Sequence, residues 1–418
     1  MSVTPTNTAR SIINLFSTSL LMSFGHGMII PTIAVMAAEF DVSIGLAAQI
    51  VTAHALGRFA APLPAGIIVD RLGTRSAMII GPVMVIVGAF AAAATPSFGL
   101  MLLAMFLAGA GDSMWMSARE VAGVDLVRPD RRGRLMSGFM GISSIGMALG
   151  PLLGGLLTEL VNFRSVFLVY MALAFVVLVF SLGSGVMKRS GQVRRTPVPG
   201  EHGGKPSFFL VQHLLEWAAL LREIAPEFRT TYGVLVFVTT VMMLYRMVLQ
   251  SMLPLYAGSY LGYSPIQVGL LFSVSGVLVF VMIVPVGFVT DKIGRKWATV
   301  PSTAIPGLAF LVMPFVDGFP ALLGIASVLG LAQGLSLGAV ATSTYDVIPE
   351  SGRGRLQALR RTIAEVGGVS GPVMGGIVAN AYNPGAAFLV TGPILIFAAL
   401  LLALVAKETL VKQRASLA

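Results

Sequence analysis

Among the ionisable side chains inside the long apolar runs of this 418-residue sequence are His26, His54, Arg58 and Asp112. Charge is expensive in hydrocarbon, so each is a functional candidate by default. Their chemistry suits proton exchange. A carboxylate can take and release a proton, an arginine can pair with it, and imidazole ordinarily titrates near ~6.5. Asp112 lies 15 residues after Ser97 and Arg58 lies 15 residues after Ser43, in two runs that read in the same direction. At ~1.5 Å per residue both sit roughly 22 Å along their helices, at one depth. His54 is one turn before Arg58 on the same face. Asp112 is therefore the leading proton-coupling candidate, with Arg58 as its partner and His54 or His26 as alternative proton carriers. A purely structural Asp112–Arg58 ion pair fits the same spacing.

Other chemistries lack their residues. There is no cysteine, the four histidines are scattered, and neither HExxH nor a Walker-type phosphate loop occurs. No metal, cofactor or enzymatic activity is expected.

The elements that hold these groups are membrane helices. Apolar residues make up 56% of the chain and charged residues 11%, against ~25% in a soluble domain. Twelve apolar runs, about 11–35, 44–69, 76–95, 98–124, 135–158, 165–187, 230–256, 265–290, 297–316, 320–345, 357–381 and 386–406, are long enough to cross ~30 Å of hydrocarbon. We call them spans one to twelve. An even number puts both termini on one side. Of the 28 Lys and Arg residues, all but Arg58, Arg164 and Arg246 fall on that side or at its edge. The positive-inside rule makes it the cytoplasm and predicts an integral protein of the cell (inner) membrane. The net charge of +10 is thus a topology signal, and nucleic acid is not an expected partner.

Residues 188–229 read as a linker between bundles at 1–187 and 230–418. Its first part is basic and rich in Gly and Pro. Residues 207–224 are amphipathic, with Phe209, Leu210, Leu214, Trp217 and Leu221 on one side, as a helix lying on the membrane surface requires.

The two bundles repeat each other at an offset of 221. Gly146, Gly150, Pro151, Gly154 and Gly155 return as Gly367, Gly371, Pro372, Gly375 and Gly376, and Arg132-Gly133-Arg134 returns as Arg353-Gly354-Arg355. Small residues give spans five and eleven a flat face for close packing, and the prolines predict a kink. The loop after span two, with Gly66, Asp70, Arg71, Gly73 and Arg75, returns after span eight as Gly287, Asp291, Lys292, Gly294, Arg295 and Lys296. The glycines let helices approach. The aspartates can face a helix N-terminus or an arginine across the gap between bundles, with Arg128, Arg131, Arg132, Arg134, Arg353 and Arg355 as candidate partners. Such contacts would gate the terminal side.

These loops resemble the signature of the major facilitator superfamily, and the glycine face of span five resembles its antiporter signature. The chain is most similar to the twelve-span drug:proton antiporters. It departs at Thr74, at Ser137, and at Met105 or Leu107, where the arginine of proton-linked members would fall. The resemblance implies an all-α membrane protein, with twelve transmembrane helices in two pseudo-symmetric six-helix bundles, working by alternating access. It also implies a cavity lined by spans one, four, seven and ten, the helices of His26, Asp112, Arg246 and Gln333. Asp112 shares one side of span four with Trp115 and Arg119. Met22, Met114, Trp115, Arg119, Tyr245, Arg246, Gln250 and Gln333 are the expected substrate-cavity residues. Methionine and aromatic walls suit a small amphipathic or drug-like molecule. Proton-coupled efflux by a monomer in the bilayer is the expectation. Uptake or facilitated passage of an organic anion anchored by Arg246 is the alternative.

Overall fold

The computed structural model describes residues 5–127, 132–183, 224–336, 339–349 and 353–409. The amphipathic segment 207–224, all but its last residue, and most of the expected linker lie outside the described residues. So do Arg128 and Arg131 and the side chains of Arg132, Arg134, Asp291, Arg353 and Arg355.

Eleven helices among the described residues are long and apolar enough to cross a membrane. The first bundle contains Pro5–Ile29 (span one), Ile44–Ala60 with Pro62–Leu72 (two), Thr74–Ala94 (three), Phe98–Leu126 (four), Arg132–Leu160 (five) and Phe163–Gly183 (six). The second contains Pro226–Pro254 running on through Leu255–Tyr260 (seven), Arg295–Val312 (nine), Phe319–Ser336 with Ala339–Val347 (ten), Arg353–Ala381 (eleven) and Pro384–Leu404 (twelve). Span eight is interrupted: Pro265–Val281 is followed by a turn at Met282, then Ile283–Phe288 and Val289–Ile293. Pro285 explains the break, because it has no N–H to give the Val281 carbonyl. Span two breaks at Ala61, the same position 221 residues earlier, with Pro64 in the place of Pro285.

The repeat extends to the helix ends. Asn162 accepts from the Ser165 N–H at 2.8 Å and Asn383 from the Ala386 N–H at 3.0 Å, each capping the last span of its bundle. Gly73 and Gly294 end spans two and eight with φ of 83° and 156°, a region that side chains avoid.

The glycine faces pack closely, on helices Arg132–Leu160 and Arg353–Ala381 that carry Pro151 and Pro372 within them. Methyl groups at Gly146, Gly150 and Gly154 would strike the span-one backbone at Leu20, Phe24 and Met28. At Gly367 and Gly371 they would strike span seven at Thr240 and Leu244, and at Gly375 the Met252 side chain.

The bundles join along span five against span eight and span eleven against span two. Among the described residues, three hydrogen bonds cross between them on the side away from the termini: Gly45 to Asn380, Ile266 to Glu159, and Leu152 to Ser273. There the short helix Thr32–Glu39 also meets Leu255–Tyr260. Toward the terminal side, Pro62–Leu72 packs chiefly on spans three and four and Ile283–Phe288 on span ten, each in its own bundle.

The terminal-side loops differ from expectation in one respect. A Cβ at Gly66 or Gly287 would meet nothing within 4 Å, so these glycines mediate no close helix approach in this conformation. The reason is the packing just described, which leaves this side of each helix without a neighbour among the described residues. Asp70, Arg71, Arg75 and Lys292 are exposed. Arg295 turns inward to its own bundle, its Nε donating to Asp346 Oδ2 at 3.1 Å. Glu408, just beyond span twelve, accepts from the Arg295 and Lys296 N–H groups at 2.9 and 3.1 Å and caps span nine. Thr409 Oγ1 donates to Asp346 at 3.2 Å, and Lys296 Nζ to the Ala403 carbonyl at 2.9 Å.

Candidate functional site

A cavity opens between the bundles at mid-chain depth. The first bundle contributes His26, Ile29, Ile30 and Ile33 around the end of span one, Ile50, Val51, His54, Ala55 and Arg58 from span two, and Met105 from span four. The second bundle contributes Met243, Met247 and Gln250 from span seven and Glu365 from span eleven. Positions 243, 247 and 250 recur at i, i+4 and i+7, one face of a helix.

His26 and His54 stack with ring centroids 4.4 Å apart and planes at 27°. Gly109 makes room for this. Any side chain there would strike the His54 backbone, so spans two and four close to near contact at this level. His26 Nδ1 and His54 Nε2 are buried and have no hydrogen-bond partner among the described residues. One turn beyond His54, the Arg58 carbonyl accepts from Ser113 Oγ at 3.1 Å. Asp112 is the residue before Ser113, so it stands level with Arg58 along the two helices. Their side chains form no ion pair within 4.0 Å among the described residues; both lie within electrostatic reach of His26.

The ionisable groups of spans two and four are not repeated. The positions equivalent to His54, Arg58 and Asp112 are Ser275, Val279 and Gln333. In spans one and seven the glycine contacts pair Leu20 with Thr240 and Phe24 with Leu244, so His26 corresponds to Arg246. Glu365 in turn corresponds to Ser144. A nearly symmetric frame thus carries a one-sided set of charges: imidazoles and guanidinium on one wall, a carboxylate on the other.

Of the expected cavity residues, Gln250 lines this cavity. Met22, Trp115 and Tyr245 are fully buried in the core, and Met114 packs with Leu15, Ala118 and Phe139 in a smaller apolar cluster. Gln333 is partly buried on span ten. Arg246 is enclosed, its Nε without a partner among the described residues, and lies within electrostatic reach of Arg58. Arg119 is held inside the first bundle: NH1 donates to Ser19 Oγ at 2.7 Å, and the guanidinium lies 4.4 Å from the Phe139 ring and 5.3 Å from the Trp115 ring. Glu120 stands 3.9 Å from it. Sequence reasoning missed Glu365, Met243 and Met247. For Glu365 the signal was present, an acid inside an apolar span three residues before Gly368.

This arrangement, two pseudo-symmetric six-helix bundles around a polar-studded cavity, has known relatives. The family model described as the Major Facilitator Superfamily matches residues 15–231 and 235–417. The chain belongs to that superfamily. Its members are transporters and not enzymes, and the chain is an integral membrane protein. It is 25% identical over 337 residues to an uncharacterized MFS-type transporter, YcnB, of Bacillus subtilis (strain 168), a match covering 72% of this chain and 70% of the relative. It is 27% identical to the multidrug resistance protein MdtG of Salmonella schwarzengrund (strain CVM19633), over 61% of this chain and 59% of that protein. The fold is similar to that of the peptide transporter POT in complex with sulfate, with a TM-score of 0.76 at 15% identity over 94% of each chain.

Proposed function

We propose that this superfamily member exports a small amphipathic or drug-like molecule in exchange for protons, by alternating access, as a monomer in the cell (inner) membrane with both termini in the cytoplasm. The observation that carries this reading is the cavity wall. Ile29, Ile30, Ile33, Ile50, Val51, Met105, Met243 and Met247 offer an adaptable apolar surface, and only a few polar groups, among them Glu365 and Arg58, interrupt it. A lipophilic molecule with a cationic or neutral polar end suits such a wall. Asp112, Arg58, His54 and His26 form the proton site, close enough to the cavity for substrate and proton to influence each other's binding. The similarity to MdtG supports efflux. The two loops bearing Asp70 and Asp291 gate the terminal side.

A second reading rests on Arg246, whose Nε, without a partner among the described residues, would take an anionic group if the cavity extended to it. Uptake or uniport of an organic anion would follow.

Proton flux in proteoliposomes under an imposed pH gradient separates the two. Lipophilic cations or neutral amphiphiles dissipate the gradient in the wild type, and Asp112→Asn abolishes this. If organic anions alone are transported, or Asp112→Asn behaves as wild type, the efflux mechanism is wrong.

A further inference from the structure

On the side away from the termini, spans two and eight begin in the same way. Ser43 Oγ accepts from the Leu46 N–H at 3.3 Å, and Ser264 Oγ from the Gln267 N–H at 3.4 Å. Each serine satisfies the third amide of its own helix. The second amide, on Gly45 or Ile266, is one of the donors that a helix start leaves without an internal partner. The opposite bundle supplies both acceptors. Asn380 Oδ1 accepts from Gly45 at 2.8 Å, and Glu159 Oε2 accepts from Ile266 at 3.2 Å. Glu159 and Asn380 are 221 residues apart, as are Gly45 and Ile266. One contact is therefore made twice, with the bundles exchanging roles. Beside it, a Cβ on Gly155 would strike the Pro265 carbonyl and one on Gly376 the Gly45 carbonyl, so the backbones touch at both places.

We infer that Glu159 and Asn380 are paired latches that hold this face of the transporter shut, and that the face opens when both acceptors are exchanged for water. Water serves an exposed helix-start amide well, so release strands no buried donor. The glycines set how closely the bundles approach; the latches add direction and register, since each acceptor fits one amide. The inference is independent of cargo and coupling ion, because it concerns only which face is closed.

The absence of native cysteine gives a clean background for the test. Ile33→Cys places a thiol on the cavity wall, and its reaction with a membrane-impermeant thiol reagent is followed in sealed vesicles that present the latched face outward. Glu159→Ala and Asn380→Ala should each speed labelling about threefold, and together roughly tenfold. Glu159→Gln and Asn380→Asp keep an acceptor and should label like the parent. Thermal unfolding is recorded alongside. Alanine variants that label at the parent rate overturn the inference. So do conservative variants that label as fast as the alanine ones, or faster labelling that merely tracks a lowered Tm.

Discussion

The imidazoles of His26 and His54, one from each of the first two spans, stack at 4.4 Å with a buried nitrogen on each ring left without a hydrogen-bond partner among the described residues. A stacked ring pair contributes ~0.5–1.5 kcal/mol beyond area burial. His54→Phe should therefore keep Tm close to the parent, while His54→Ala lowers stability by about 2 kcal/mol through the lost stack and the cavity left behind. Both should shift the pH profile of transport if the pair carries protons. Equal profiles in wild type and His54→Phe would remove His54 from the proton site.

Glu365 gives a sharper separation of roles. Glu365→Gln preserves volume and removes the carboxylate. Transport of a lipophilic cation should fall about tenfold or more, while a neutral amphiphile of similar size changes less than about twofold. A uniform loss across both substrates would reduce Glu365 to a structural group.

Two classes of glycine should behave oppositely. Gly154→Val drives a side chain into the Met28 backbone, with an overpacking penalty of ~1–3 kcal/mol or more and poor recovery of folded protein. Gly66→Ala and Gly287→Ala meet open space and should leave stability within ~0.5 kcal/mol. If the terminal-side loops close during the cycle, these two variants still slow transport. Comparing Tm with turnover reads both effects at once.

Arg119 is a buried cation whose partners are a hydroxyl, two aromatic faces and Glu120. Ser19→Ala removes the 2.7 Å hydrogen bond and should lower stability by ~1–3 kcal/mol, measured by thermal unfolding in detergent. Arg119→Lys should not restore full stability, because an ammonium cannot stack flat against Phe139 and reach Ser19 together. An unchanged Tm in both variants would mean that water replaces the contact.

Depth along the helices was legible in the sequence and rotation about them was not. Counting from Ser97 and Ser43 placed Asp112 level with Arg58, and the Ser113–Arg58 hydrogen bond bears that out. The same residues gave no guide to facing. A helix that is apolar all round carries no periodic signal to separate lipid, core and cavity, so Met22, Trp115 and Tyr245 lie in the core while Met243 and Met247 line the cavity. Glu365 lies on span eleven, outside the four spans that the family resemblance marks as cavity-lining, so the resemblance carries no pointer to it. The breaks at Ala61 and Met282 were written in Pro64 and Pro285, but unbroken hydrophobicity concealed them.

Those two breaks bear on how the molecule can move. On one side of each, Ile44–Ala60 and Pro265–Val281 pack against the opposite bundle as well as their own; on the other, Pro62–Leu72 and Ile283–Phe288 stay chiefly with their own. Spans two and eight thus divide their allegiance along their length. Swinging one bundle against the other loads each helix unevenly, because one segment touches both bundles and the other chiefly its own. Bending is easiest beside Ala61 and Met282, where Pro64 and Pro285 have no N–H to give the Ala60 and Val281 carbonyls.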